Sequence, residues 1–138
     1  EVIDLFEILL YYPALRVRLK SGYYFKEPIP AFQLHGTIGS FIKTRSDRQE
    51  VDLDKGHVPM GENWGVDAVS EYGLLHVDGS SPERIPSEKG NYMAFYENVF
   101  QSLRSGATPA VPGEDGIASM RVIDAAYESL EKQAVISY

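Results

Sequence analysis

Apolar and polar positions along the chain alternate in two distinct rhythms. Over its first third the period is two: Val2 to Tyr12 is rich in β-branched and aromatic residues, and Leu15 to Lys20 sets apolar against basic residues, as in a half-buried strand. If Pro13-Ala14 is the whole loop between them, Leu10 faces Val17, Ile8 faces Leu19 and Glu7 faces Lys20 in a hairpin. One face then carries Phe6, Ile8, Leu10, Tyr12, Leu15, Val17 and Leu19, and asks to be covered by helices. The other face mixes Leu5, Leu9 and Tyr11 with Glu7, Arg16, Arg18 and Lys20. It is too apolar for plain solvent and too charged for a core, which suits a subunit or domain interface.

After the proline-rich connection Lys26-Glu27-Pro28-Ile29-Pro30, the run AFQLHGTIGSFIKT predicts a second hairpin turning at Gly36-Thr37-Ile38-Gly39. From Asp47 to Gly73 the periodicity fades while Gly, Asn and His accumulate, which predicts a long surface excursion of the kind that often carries function. Leu74 to Gly79 and the stretch around Arg84-Ile85-Pro86 predict short strands, the second at a sheet edge because of its prolines, and Val135-Ile136-Ser137 predicts a last one. The sheet then has five to seven members.

The period changes to 3.6 in NYMAFYENVFQSLRSG. Asn91 is placed to cap the helix, Tyr92, Phe95, Tyr96, Val99, Phe100 and Leu103 form one stripe, and Gly106 stops it. A second helix follows Pro112-Gly113, with Glu114 and Asp115 favouring the positive end of its dipole and Ile117, Met120, Ile123, Tyr127 and Leu130 expected to point inward. Strands first and helices later predict an α+β fold: an open, mainly antiparallel β-sheet with two α-helices packed on one face and the other face available for oligomerisation.

Composition narrows the functions. A chain of 138 residues fits one domain, and its net charge of -7 argues against nucleic acid as a partner. The absence of cysteine excludes disulfides and thiolate chemistry, and no apolar run approaches a bilayer span or resembles a signal peptide, so a cytoplasmic protein with no membrane partner is expected.

Candidate chemistry is sparse. His35, His57 and His76 are never at the spacing of a helical metal site, so no metal is expected. The serines lack a nucleophile elbow, and GTIGS suits a hairpin turn better than a phosphate cradle. His57 in the long loop could reach a ligand or be plain surface, and Trp64, between Asn63 and Gly65, could stack on a substrate or pack on its own domain. Taken alone, the residues describe a covering and binding domain without a catalytic centre.

The stretches DLFEILLYYPALRVRLKSGYY, FQLHGTIGSFIK, the Trp64-Gly65 pair and GNYMAFYENVFQSLRSGATPAVPGEDGIASMRVIDAAYESLEKQ together resemble the C-terminal domain of Gfo/Idh/MocA family oxidoreductases. The resemblance covers nearly the whole chain. It implies that residues 1–138 are a substrate-lining and oligomerisation domain whose N-terminal Rossmann domain lies outside this sequence. The family's dinucleotide loop, its Glu-Lys-Pro lysine and its Asp/His pair would belong to earlier sequence. Lys26, in the order Lys-Glu-Pro, is not that lysine. The implied activity of the full-length protein is NAD- or NADP-dependent hydride transfer on a sugar, cyclitol or related polyol, with no cofactor site and no catalytic residue in this chain, which would be inactive alone. His57, Asn63 and Trp64 are the substrate-lining candidates. Leu5, Glu7, Leu9, Tyr11, Arg16 and Arg18 are the candidates for a homo-oligomer interface. The alternative is a stand-alone dimeric module that binds a small ligand or another protein.

Overall fold

The structure, a computed structural model, describes residues 4–27, 29–44 and 47–138. It divides into two compact units, Glu1–Glu27 with Gly106–Tyr138, and Pro28–Ser105.

The first unit opens with the antiparallel hairpin β1 (Leu5–Tyr11) and β2 (Arg16–Gly22). Its register pairs Leu10 with Val17, Ile8 with Leu19 and Glu7 with Lys20, and Tyr12 N–H closes the two-residue loop on Leu15 O at 2.9 Å. The register follows from the loop length, because a two-residue connection fixes which residues stand opposite. Residues 1–3, part of the expected first strand, lie outside the described residues. Helix α3 (Gly113–Lys132) carries Glu114 and Asp115 in its first turn and ends at Gln133, which takes the left-handed conformation at φ 52°. Beyond it the tail runs to Tyr138 without joining a ladder, so the strand expected at Val135-Ile136-Ser137 is not formed among the described residues.

The second unit is built on a four-stranded antiparallel sheet in the order β3 (Phe32–His35), β4 (Gly39–Lys43), β5 (Gly73–Val77), β6 (Glu83–Ile85). The turn between β3 and β4 closes through Gly36 N–H on Gly39 O at 2.8 Å, and β6 takes the expected edge. The described strands thus number six and fall into two ladders of two and four, where the sequence suggested one sheet.

The excursion expected to be irregular contains a helix, α1 (Arg48–Asp54), and a 3-10 turn at Val69–Glu71. Asp47 caps α1 by accepting the Gln49 N–H at 3.0 Å, and Glu50 sits in the first turn. Helix α2 (Tyr92–Ser105) begins where Asn91 accepts the Ala94 N–H at 3.2 Å, and Gly106 follows it at φ 70°.

The apolar stripes of the two long helices are not buried as expected. Phe95, Tyr96, Phe100 and Leu103 of α2 are exposed, as are Ile117, Met120, Tyr127 and Leu130 of α3. The half-covered positions of α3 are instead Val122, Ala125, Ala126, Glu128 and Ser129, and no described apolar side chain is fully buried. Among the described residues, no helix is long and apolar enough to cross a membrane.

Candidate functional site

The polar centre of the second unit is the Gln49 side chain, 1% exposed. A buried primary amide needs partners on both ends, because each unmet bond costs its desolvation. Its oxygen accepts the Trp64 indole N–H at 3.1 Å and the Tyr92 backbone N–H at 2.9 Å, and its Nε2 donates to Asp47 Oδ1 at 3.2 Å. The start of α1, the loop that holds the only tryptophan, and the first turn of α2 therefore meet on one amide.

Asp47 also acts on the Tyr92 phenol: hydrogen bonding to its carboxylate is the largest cause raising the phenol's pKa above the ordinary tyrosine value, followed by desolvation and the negative charges of Asp47 and Glu50.

Two glycines make room for the node. Gly90 N–H donates to Gly65 O at 2.8 Å, with Gly65 in the left-handed region at φ 71°. A Cβ on Gly65 would stand 2.2 Å from Gly90 O, and one on Gly90 would stand 2.4 Å from Gln49 Nε2. At Gly65 backbone passes against backbone, which only glycine permits, while at Gly90 the space is taken by the Gln49 side chain. Outside the node, Lys43 Nζ reaches Asp67 at 3.1 Å and Glu71 O at 3.2 Å, and Lys89 Nζ reaches Glu62 O at 2.9 Å, tying the excursion to β4 and to the approach of α2.

Of the substrate-lining candidates, only Trp64 belongs to the node. It is half-buried, and with its N–H directed inward it can offer a ligand the face and edge of its ring but no donor. Asn63 is exposed in the same turn, where its carbonyl accepts the Val66 N–H at 3.4 Å. His57 follows α1; its N–H donates to Asp52 O at 2.9 Å, and Nδ1 stands 3.5 Å from Asp52 Oδ1 with the side chain 61% exposed. No hydrogen bond among the described residues joins His57 to Asn63 or Trp64. Sequence reading missed Asp47, Gln49 and Tyr92 as site residues. Asp47-Arg48-Gln49-Glu50, an N-cap residue with Glu three places on, signals the start of α1 but not the node itself.

The interface candidates share the outer face of the hairpin. Glu7 Oε1 and Arg18 Nε pair at 3.2 Å, Arg16 lies 5.1 Å from the Tyr11 ring centroid and also donates to Leu15 O at 2.9 Å, and Leu5, Leu9 and Tyr11 are 47–59% exposed. The charges on this face are thus held by their own hairpin, while the apolar side chains between them stand bare.

No helix start among the described residues is suited to the pyrophosphate of a dinucleotide. A pyrophosphate binds where a helix start offers free N–H groups and no negative charge. The start of α1 is filled by Asp47, that of α2 by Asn91 and Gln49, and that of α3 carries Glu114 and Asp115. Nor do the described residues contain three or more His, Asp or Glu grouped to hold a metal ion.

Comparison with known proteins gives a consistent set of relatives. The chain is 37% identical, over 99% of its length, to the scyllo-inositol 2-dehydrogenase (NADP(+)) IolW of Bacillus subtilis, of which it covers 39%. It is 30% identical to the oxidoreductase YdgJ of Escherichia coli, again covering 39% of that protein. Among solved structures, the oxidoreductase YvaA of Bacillus subtilis superposes with a TM-score of 0.91 at 37% identity, over all of this chain and 41% of that one. An oxidoreductase from Bacteroides fragilis superposes with a TM-score of 0.87 at 34% identity, over all of this chain and 43% of that one. The chain thus spans about two-fifths of the length of the relatives it matches. Residues 1–137 match the family described as the oxidoreductase family, C-terminal alpha/beta domain, and the chain belongs to it, as the C-terminal domain of a Gfo/Idh/MocA oxidoreductase.

Proposed function

We propose that this chain is the substrate-lining and oligomerisation domain of an NAD(P)-dependent cytoplasmic dehydrogenase acting on a cyclitol, sugar or related polyol. The observation that carries the reading is the 37% identity to IolW across 99% of the chain. The cofactor and the residues that move the hydride belong to the rest of the longer polypeptide, and no catalytic step is assigned to a residue of this chain.

Its own contribution is to shape and close the pocket. Trp64, held in plane by Gln49, presents an apolar ring to the C–H face of a cyclic polyol, while Asn63 and His57 offer polar groups to hydroxyls. Binding then combines one stacking surface with a few directional bonds, which is how small polyhydroxylated ligands are oriented.

The test is turnover by the full-length polypeptide: NADP+ or NAD+ reduction with scyllo-inositol and a panel of cyclitols and aldoses. Alanine at Trp64, Asn63 or His57 is expected to raise KM about tenfold, the loss of roughly one hydrogen bond or stacking contact. No reduction with any polyol would remove the dehydrogenase reading. Turnover with unaltered kinetics in all three variants would remove only the residue assignment.

A further inference from the structure

An indole has a single polar atom, its ring N–H, so one hydrogen bond decides which way the Trp64 ring faces. That bond goes to Gln49 Oε1 at 3.1 Å. The main chain on both sides of the ring is held independently. Trp64 N–H donates to Gly61 O at 3.3 Å, Lys89 Nζ donates to Glu62 O at 2.9 Å, Gly65 O accepts from Gly90 N–H at 2.8 Å, and Asp67 pairs with Lys43 at 3.1 Å. Rotation of the side chain is the freedom these contacts leave, and Gln49 removes it.

The Gln49 amide can hold the ring because it cannot turn itself. Its oxygen accepts two donors, the Trp64 ring N–H and the Tyr92 backbone N–H at 2.9 Å, while Nε2 donates to the Asp47 carboxylate at 3.2 Å. The reversed amide would set its NH2 group against both donors and its oxygen against a carboxylate, losing all of these bonds. Asp47 is fixed in turn as the cap of α1, and Tyr92 as the first residue of α2. At 1% exposure Gln49 meets no ligand. It is a positioning residue, and what it does for binding it does through Trp64.

With its N–H turned inward, the half-buried ring offers solvent a π face and C–H edges and no donor. Cyclic polyols differ in how they meet such a surface. When every hydroxyl is equatorial, the oxygens lie around the rim and both faces of the ring are C–H only, so either face stacks on an aromatic ring. An axial hydroxyl puts an oxygen on a face, where the indole gives it no partner and its desolvation is not repaid.

We infer that Gln49 sets the stereochemical preference of the pocket: by occupying the indole N–H and fixing the Trp64 ring, it selects cyclic polyols with equatorial hydroxyls over those with an axial hydroxyl on each face. The inference rests on the reading of Trp64 as the stacking surface of a polyol dehydrogenase. An apolar wall rejects an added hydroxyl by about 100-fold. Without Gln49 the ring N–H loses its partner and turns toward another, and a donor exposed in the pocket is what an axial hydroxyl needs. Loss of Gln49 therefore weakens binding of the equatorial ligand and helps the axial one.

The test compares scyllo-inositol, with every hydroxyl equatorial, and D-chiro-inositol, with an axial hydroxyl on each face, as substrates of the full-length polypeptide with NAD+ or NADP+. The parent should favour the first by about 100-fold in kcat/KM. Gln49→Met keeps the length of the side chain but not its acceptor; it should raise KM for scyllo-inositol about tenfold at unchanged kcat and bring the preference below about tenfold. Gln49→Asn, one methylene shorter, withdraws the acceptor while keeping the polarity and should relax the preference in the same direction, which covers the case in which the Met variant does not fold. Gln49→Glu keeps an acceptor for both N–H groups and should retain the parent's preference. In a Trp64→Phe background, which has no ring N–H, Gln49→Met should leave the preference as it finds it, because the two residues act as one unit. A merely structural role would lower kcat or the thermal midpoint without moving the preference. A preference unmoved by Gln49→Met and Gln49→Asn, effects of the position-49 and position-64 changes that simply add, or equal kcat/KM for the two cyclitols in the parent each overturns the inference, as does turnover of neither. In all of these cases reduction with some other polyol leaves the dehydrogenase reading intact, and no reduction with any polyol removes both.

Discussion

Gln49 sets the tolerance of the second unit to single changes. Replacing it with leucine keeps the volume but strands the Trp64 indole N–H and the Tyr92 amide N–H, and takes a donor from Asp47. We expect a loss of about 1–3 kcal/mol in urea unfolding. Because Trp64 is the only tryptophan, its emission reports the event directly, and Gln49→Leu should shift the folded-state spectrum before any denaturant is added. An unchanged spectrum with unchanged stability would show that the amide anchors nothing. The Tyr92 phenol gives a second readout. A raised folded pKa means that the folded state keeps a proton the unfolded state has lost, so stability is full below the ordinary tyrosine value near pH 10 and declines as pH rises through the folded pKa. Tyr92→Phe should flatten that alkaline decline, measured as thermal midpoint against pH; an identical slope in both proteins would discount the bond to Asp47.

The strands were legible where local rules are strong. The two-residue loop at Pro13-Ala14 dictates the β1–β2 register, and the glycine turn at Gly36 to Gly39 dictates the second hairpin. Helix α1 was not legible from periodicity because seven residues hold too few apolar positions to show a period, although its cap was written in Asp47 and Glu50. The tail misled in the opposite sense: Val135-Ile136-Ser137 has strand composition, but a strand needs a partner, and composition does not report one. The inward stripe predicted for α3 failed for a related reason, since the pattern marks which residues want cover and not which face receives it. The Gln49 node was beyond reach because its members are joined across 43 residues by hydrogen bonds that leave no pattern in the chain. Packing between elements is tight at one legible point. A Cβ on Gly73 of β5 would lie 2.1 Å from Phe41 Cζ, the ring reaching across from β4, so Gly73→Ala should cost about 1–3 kcal/mol by urea unfolding. Stability within a few tenths of the parent would mean that the Phe41 ring moves aside freely.

At the scale of the whole molecule, the outer face of the first hairpin leaves Leu5, Leu9 and Tyr11 47–59% exposed side by side, so the chain is expected to associate in solution through it. The outer face of β1 and β2 is the place to test it, because Leu9 stands 47% exposed beside the Glu7–Arg18 pair. Sedimentation should give a dimer or larger species for the parent and a smaller one for Leu9→Asp; equal masses would exclude this face. The contact between Gly65 and Gly90 carries a different consequence, for mutational tolerance. Two positions 25 residues apart share one backbone bond, yet their demands differ: a Cβ on Gly65 meets the main chain of Gly90, whereas one on Gly90 meets the end of the Gln49 side chain. In a saturation library Gly65 should stay glycine in any background, while alanine at Gly90 should become tolerable once the side chain at 49 is shortened.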